Sequence, residues 1–477
     1  MPFEKFYCGV VGLGQVWVGL VWFCLEERGL APEASGRDSM TSFIRSIGRW
    51  TMTGLVINAT IGSSMYGLPG QLSHLLGRAS PLAVVLAAFG LAIIMSAIIE
   101  VASQFPDAGG AYIYTRTAFG RFWGLQVAWF WLLSFLGGAG AAANIFVDYL
   151  ARFVPALESG WGRGFIIAIV ITIPTIANCF GVKQGANLCN FFTAAKLLPL
   201  GVIIGLGLIR FHSHFELIQG KEITAPGWGA WLTALLLLLA AMGGAEDTLA
   251  PAGEVKDPKR TIPFGVAVGI CVCALFYMFG QFVTVATVGI SQNNSGFADA
   301  ANILVGRFGT KFVFFAVMVS AYGAIAAAMM NAPRLTYALS AHGDFPSSLG
   351  RLHPKYHTPA MAIVLFSVPL LILAISGSFL WLIAVTGGSM AVEYIGICAA
   401  LIRLRKLRPN ADALRIPWGP LWGAFGIAIC IALLTSLSSY QVLLMGTVAL
   451  VGAGNWWWAL RRANRLIPPQ EQLVEPA

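Results

Sequence analysis

Charge is what this sequence lacks. Only 11% of its 477 residues are Asp, Glu, Lys or Arg, where a soluble domain carries about 25%. A chain so poor in charge cannot cover itself with a water-facing surface, which excludes a soluble enzyme and a highly charged disordered tail. Also missing are H-E-x-x-H, a Walker loop and G-x-S-x-G, so no motif supplies a zinc site, a phosphate cradle or a nucleophile elbow. The eight cysteines form no C-x-x-C pair and lie mostly in apolar runs. That argues against a disulfide scaffold or a metal ribbon; Cys271 and Cys273 read as small buried hydrophobes. The six histidines cluster only as His212-Ser213-His214, in a loop. Neither an enzyme nor a cofactor-dependent protein is expected. What is present is hydrophobicity, 57% of the chain, with a mean hydropathy of +0.75.

Charge-free runs cover 50–77, 79–99, 122–147, 164–182, 223–245, 261–298, 312–333, 356–392 and 416–460. One run broken only by Lys196 covers 184–209, and one broken only by Glu393 covers 380–402. A helix crosses the hydrocarbon core with about 20 apolar residues. The pattern therefore predicts an all-α integral membrane protein with twelve spans, near 51–73, 80–104, 120–150, 164–181, 187–209, 230–252, 263–288, 309–338, 359–376, 379–403, 419–438 and 441–460. The net charge of +9 is a topological signal and not a nucleic-acid footprint. With the segment before the first span inside, nineteen Lys and Arg fall inside and seven outside, as the positive-inside rule requires. Both ends of the twelve-span core are then cytoplasmic, in a plasma or inner membrane, and the 403–408 cluster is an anchor at the membrane surface. Residues 1–40 read as an appendage outside that core. Their apolar stretch Cys8–Cys24 is short for a span and interrupted by four glycines, and Glu4 beside Lys5 makes a poor secretory signal.

Two spans carry breaks that a membrane anchor does not need. The first holds Asn58-Ala59-Thr60-Ile61-Gly62-Ser63-Ser64-Met65-Tyr66-Gly67-Leu68-Pro69-Gly70. The sixth holds Met242-Gly243-Gly244-Ala245-Glu246-Asp247-Thr248, then Pro251 and Gly253. Unpaired backbone at membrane depth is tolerated only where it is buried in protein or lines a cavity. Glycine- and proline-interrupted segments at corresponding places in two halves point to a transporter binding site. The breaks are five spans apart, so a second copy of the repeat is inverted in the membrane.

Ile61-Gly62-Ser63-Ser64-Met65-Tyr66-Gly67-Leu68-Pro69 resembles the first-helix motif I-G-S-G-I-F-x-x-P of the amino acid–polyamine–organocation (APC) superfamily of permeases. The stretch from Glu100 to Tyr112 is similar to E-L-A-x-x-F-P-x-A-G-G-x-Y of the same superfamily. Gly244-Ala245-Glu246 with the stretch from Glu254 to Pro263, and Pro333 to Ala338 with His353 to Pro359, resemble two further motifs, in the same order. The resemblance implies a leucine-transporter-like fold: a five-plus-five inverted repeat over 41–210 and 211–408, two further helices over 409–465, and a cytoplasmic tail at 466–477. It implies alternating-access transport of amino acids, with no cofactor and no nucleic-acid partner, and membrane lipid around the bundle.

A broken helix offers N–H groups at the start of its outer half and carbonyls at the end of its inner half, which suit a carboxylate and an ammonium respectively. Carried over by motif, Ser63, Ser64 and Met65, following Gly62, offer N–H groups. Ile61 with carbonyls near Ala241 and Met242 accepts from the amine, and Gly243, Gly244 and Ala245 complete the second break. Ser64 departs from the family's second glycine. Ala240 and Met242 stand where relatives often carry an aromatic lid, so the gate at Ala240 lacks its ring. Glu246 is the only acid the sequence places near the pocket, and the resemblance assigns it to gating; on that ground cationic substrates are disfavoured. Glu100 is expected to brace the inner gate. Lys196 lies mid-span in Phe192-Thr193-Ala194-Ala195-Lys196-Leu197-Leu198, similar to F-T-x-x-K-L-L of sodium-independent branches, where the lysine takes the sodium position. Three couplings remain open on this sequence, in order of preference: symport with protons, exchange with Lys196 as a fixed cation, and sodium coupling. Glu393 matches no motif and either faces the cavity or reaches toward the 403–408 cluster.

Overall fold

The computed structural model describes residues 48–105, 110–180, 186–211, 226–249, 255–289, 296–354, 356, 358–409 and 414–466. The appendage at 1–40, the His212–His214 loop, the middle of the second motif at 106–109, the stretch 250–254 and the tail from 467 lie outside the described residues.

The described residues are helical throughout, with no strand. The helices are α1 (Arg49–Thr60), α2 (Ser64–Leu76), α3 (Ser80–Ala102), α4 (Gly110–Phe119), α5 (Arg121–Ala151), α6 (Gly160–Cys179), α7 (Ala186–Phe211), α8 (Trp228–Met242), α9 (Pro258–Val288), α10 (Gly296–Val305), α11 (Arg307–Ala341), α12 (Ala360–Ser376), α13 (Phe379–Leu407), α14 (Gly419–Leu434) and α15 (Ser439–Leu466). Among the described residues eight helical stretches are long and apolar enough to cross a membrane, and α12 and α14 are shorter apolar helices. The chain is an integral, multi-pass membrane protein.

Burial separates two kinds of helix. The window of α5 that best fits a span is 78% buried and that of α13 is 72%, whereas that of α15 is 17%. Helices α5 and α13 pack along each other at the centre, α11 joins them against α5, and α9 runs along α1. Close packing at the centre depends on small residues, as between helices in bilayers generally. A Cβ at Gly137 would meet the Thr386 hydroxyl and the Leu382 carbonyl, and Ala139, Gly140, Ala141, Ala142 and Ala143 follow on α5. The peripheral helices instead turn Phe89, Phe165, Ile173, Ile209, Ile372, Leu443 and Leu450 outward. Water would not tolerate that surface; lipid does. Exposed Trp50, Trp161, Trp228, Trp418 and Trp457 sit at or near helix ends, where amphipathic rings meet the membrane interface. Arg461 lies over the Trp457 ring at 3.5 Å, keeping its charge at the same level. One sequence expectation is corrected here: Cys273 is buried, but Cys271 faces outward from α9. Two residues apart on a helix, the two side chains point to different faces.

At the arginine-rich end, Asp344, which follows α11, is fully buried. It accepts from Tyr112 and Arg116 on α4 and from Arg121 at the start of α5, and its backbone carbonyl accepts from Asn455 on α15 at 2.9 Å. One residue therefore holds four elements together, its carboxylate joining α4 and α5 to the end of α11 and its backbone carbonyl adding α15. A second clasp is Glu100 at the end of α3. It takes a two-pronged bond from Arg405 of α13 at 2.6 and 2.7 Å and the Ile416 N–H at 3.0 Å.

Candidate functional site

The first break is the gap between α1 and α2. Ile61 adopts an extended conformation with ψ of 93°, which ends α1. Gly62 and Ser63 carry the chain across, and α2 begins at Ser64. The Met65 N–H is 3.3 Å from the Gly62 carbonyl, while among the described residues the Ser63 and Ser64 amides donate to no backbone carbonyl. Two N–H groups at a helix start are thus unspent, which is the arrangement an anion needs.

The second break lies between α8 and the short 3-10 turn Glu246–Leu249. Gly243 is extended and Gly244 has φ of +100°, a region that L side chains rarely adopt. A Cβ at Gly243 would collide with Met390 Cε of α13, and one at Gly244 would lie 3.1 Å from the Ala59 carbonyl. Gly244 therefore lets the second break lie against the end of α1, and Gly243 lets it lie under Met390. Gly244→Ala would meet both the strained φ and the Ala59 carbonyl, and should lower stability by about 1–3 kcal/mol. The check is thermal unfolding in detergent beside substrate uptake; an unchanged midpoint would mean the two breaks do not depend on this contact.

Tyr277 of α9 ties the breaks together. Its hydroxyl donates to Ala241 O at 2.7 Å and lies 3.5 Å from Thr60 O. Ala241 O is one residue from the end of α8 and is among the carbonyls where the sequence expects an ammonium; Thr60 O, the last carbonyl of α1, precedes the expected Ile61. Lys196 of α7 is 7% exposed, and its Nζ donates to Asn58 O, two residues before the end of α1, at 2.6 Å. The Tyr66 hydroxyl donates to the Lys196 carbonyl, and the Tyr149 hydroxyl to Tyr66 O at 3.2 Å. So α2, α5 and α7 are pinned around the first break.

Below the second break lies a cluster of acids. Glu246 accepts from Gly244 N at 3.0 Å and from the Tyr394 hydroxyl at 2.8 Å. Asp247 accepts from Trp131 Nε1 of α5 at 3.2 Å. Glu393 of α13 lines the same small cavity as Glu246 and is 1% exposed. The expectation that Glu246 alone is acidic here is corrected: helix winding brings Glu393, 147 positions away in the chain, to the same cavity. It does not reach the 403–408 cluster; Arg405 of that cluster is held by Glu100. Ala240 is half-buried on α8 and packs on the core, and Met390 is the side chain that covers the break at Gly243.

Sequence reasoning missed Tyr277, Asp344, Trp131, Tyr394 and Met390. For Tyr277 a signal exists. Cys273, Tyr277 and Gln281 recur every fourth residue in an apolar run, and all three are buried. Gln281 donates to Pro69 O at 3.0 Å and to Ser80 Oγ at 2.8 Å, so this stripe faces the first break and its exit.

A bundle of lipid-facing helices around two opposed, backbone-lined breaks defines a membrane transporter. Residues 47–460 match the family model described as amino acid permease, and the chain belongs to that family. It is similar to the serine/threonine exchanger SteT of Bacillus subtilis (strain 168), 27% identical over 65% of this chain and 72% of that one. It is also similar to cationic amino acid transporter 4 of Mus musculus, 24% identical over 84% of this chain and 66% of that one. The branched-chain amino acid permease BcaP of Bacillus subtilis (strain 168) is 22% identical over 92% of this chain and 97% of that one.

Proposed function

We propose that the protein moves amino acids by alternating access through twelve spans, ten of them a five-plus-five inverted repeat, and that uptake is sodium-independent and coupled to protons. One observation carries this reading: unspent N–H groups at Ser63 and Ser64 face a site whose carbonyls, Thr60 O and Ala241 O, share the Tyr277 hydroxyl. A zwitterionic amino acid brings a carboxylate for the first pair and an ammonium that replaces the tyrosine donor at the second. Helix pairing supports the repeat. With the first five spans mapped on the next five, α1 against α9 corresponds to α8 against α3. Likewise α5 against α13 corresponds to α11 against α7, and α5 against α11 maps on itself; all these pairs pack. The ammonium of Lys196 at Asn58 O supplies the positive charge that a sodium ion would otherwise bring to the first-helix carbonyls.

The arginine-rich end is cytoplasmic in this reading, in a plasma or inner membrane, and the clasps at Asp344 and Glu100 hold that end closed. The site residues Ile61 to Met65 and Ala241 to Ala245 bind substrate, with Ala240, Glu246 and Glu100 serving the gates. Exchange is a second reading, favoured by the buried, bonded Lys196 and by the similarity to a protein named as an exchanger.

Uptake of a labelled amino-acid panel into proteoliposomes tests both. Transport should persist when sodium is replaced by choline and should rise with an inward proton gradient. Exchange without accumulation would favour the second reading, and strict sodium dependence would remove Lys196 from the coupling role.

A further inference from the structure

Glu393 is the intramembrane acid that the transport reading leaves without a task. Neither of its carboxylate oxygens has a hydrogen-bond partner, and the side chain is 1% exposed. It opens on a small cavity with space for about one water. The groups facing it are the following. Glu246 and Asp247 come from the 3-10 turn after α8. Helix α4 contributes Tyr114, α5 contributes Trp131, and α3 contributes Ile98. The acid of α3, Glu100, is taken by Arg405, and α14 and α15 supply no lining residue. No cation among the lining residues answers three carboxyl groups.

Donors decide which of the three stands apart. The Gly244 N–H and the Tyr394 hydroxyl serve Glu246, and the Trp131 indole serves Asp247. Nothing serves Glu393. An ionised carboxylate buried without a donor or counter-charge is strongly disfavoured, and like charges nearby add to this. A metal ion is a poor answer, since among the described residues no three acidic, histidine or cysteine side chains converge closely enough to hold one. A proton is the ligand that needs neither space nor further ligands.

We propose that Glu393 is a proton-binding site. It holds a proton as the neutral acid in the arrangement seen here, and releases it to water when the cavity beside the second break opens and hydrates. Glu393 sits immediately before Tyr394, the donor to Glu246, which is two residues beyond Gly244 and accepts from its N–H. Movement of that turn therefore changes the surroundings of the acid directly. The coupling role rests on the transport reading; the proton site does not.

Two measurements separate these. Infrared difference spectra of the reconstituted protein at neutral pH should contain the C=O stretch of a buried neutral carboxylic acid, shifted in D2O. Glu393→Gln should remove it, and a band that survives this change overturns the proposal. Glu393→Asp keeps the acid, should retain a displaced band, and serves if the glutamine variant fails to insert. In proteoliposomes, Glu393→Gln should collapse proton-driven accumulation of a neutral amino acid toward equality across the membrane, while exchange of labelled for unlabelled substrate continues. Accumulation at the wild-type level overturns the proposal, as does a loss confined to cationic amino acids, which would make the cluster a side-chain subsite. If the wild type moves no amino acid, the transport reading fails, and the infrared result still decides the proton site.

Discussion

Lys196→Ala is expected to reduce amino-acid uptake to background while the protein still inserts and purifies as a single species. The ammonium is bonded to Asn58 O at 2.6 Å in a site almost closed to solvent, and a hydrogen bond to a charged group contributes about 1.5–3 kcal/mol. Its loss leaves the end of α1 without its positive neighbour, as a sodium-coupled protein would be without sodium. A loss of 3 kcal/mol in the productive state corresponds to a rate about a hundredfold lower. Lys196→Arg keeps the charge, but guanidinium does not release a proton in a protein. The arginine variant should keep exchange and lose concentrative uptake if Lys196 itself cycles a proton. If the arginine variant accumulates substrate normally, the cation is a fixed brace, and the proton route runs elsewhere, with Glu393 the first place to look.

Asp344→Asn should produce the largest loss of stability. The carboxylate is fully buried, and its two arginine partners, with side chains 30% and 21% exposed, are mostly withdrawn from water. Breaking a buried ion pair from one side costs about 3–5 kcal/mol, because the stranded charges remain. Arg116 and Arg121 would then face each other across a neutral amide. The melting midpoint in detergent should fall clearly below that of the wild type, and cysteines placed on α4 should react faster with a membrane-impermeant thiol reagent. Arg121→Gln, which leaves Asp344 with Arg116 and Tyr112, should fall less. Equal midpoints for Asp344→Asn and the wild type would show that this clasp contributes little to holding the arginine-rich end together.

How far the sequence reached can be judged residue by residue. The breaks at 61–63 and 243–244 were legible, because glycine next to polar residues inside an apolar run has few structural uses at membrane depth. Lys196 was legible for the same reason: a charge mid-span is too unfavourable to be idle. Asp344 was not, since a single acid in a polar loop looks like any solvated residue until two arginines and a tyrosine close over it. Glu393 stood out as an acid in a span, but its direction was undetermined. Half a helix turn separates a side chain that faces a cavity from one that points away from it, and the packing of α13 against its neighbours, α5, α8 and α14 among them, sets that rotation.

By itself, the sequence determined the class: charge spacing compels helices in lipid, and glycines place the two breaks. These are one-dimensional properties, readable because lipid penalises each unpaired charge and each unpaired amide separately. Which donor meets which acceptor was decided only in the tertiary structure. Tyr277 reaches Ala241 O and Thr60 O, Lys196 reaches Asn58 O, and Glu393 reaches nothing. A hydrogen bond forms or fails within a few tenths of an ångström, and helices that meet across hundreds of residues set such distances jointly, through the packing of side chains that no local pattern encodes.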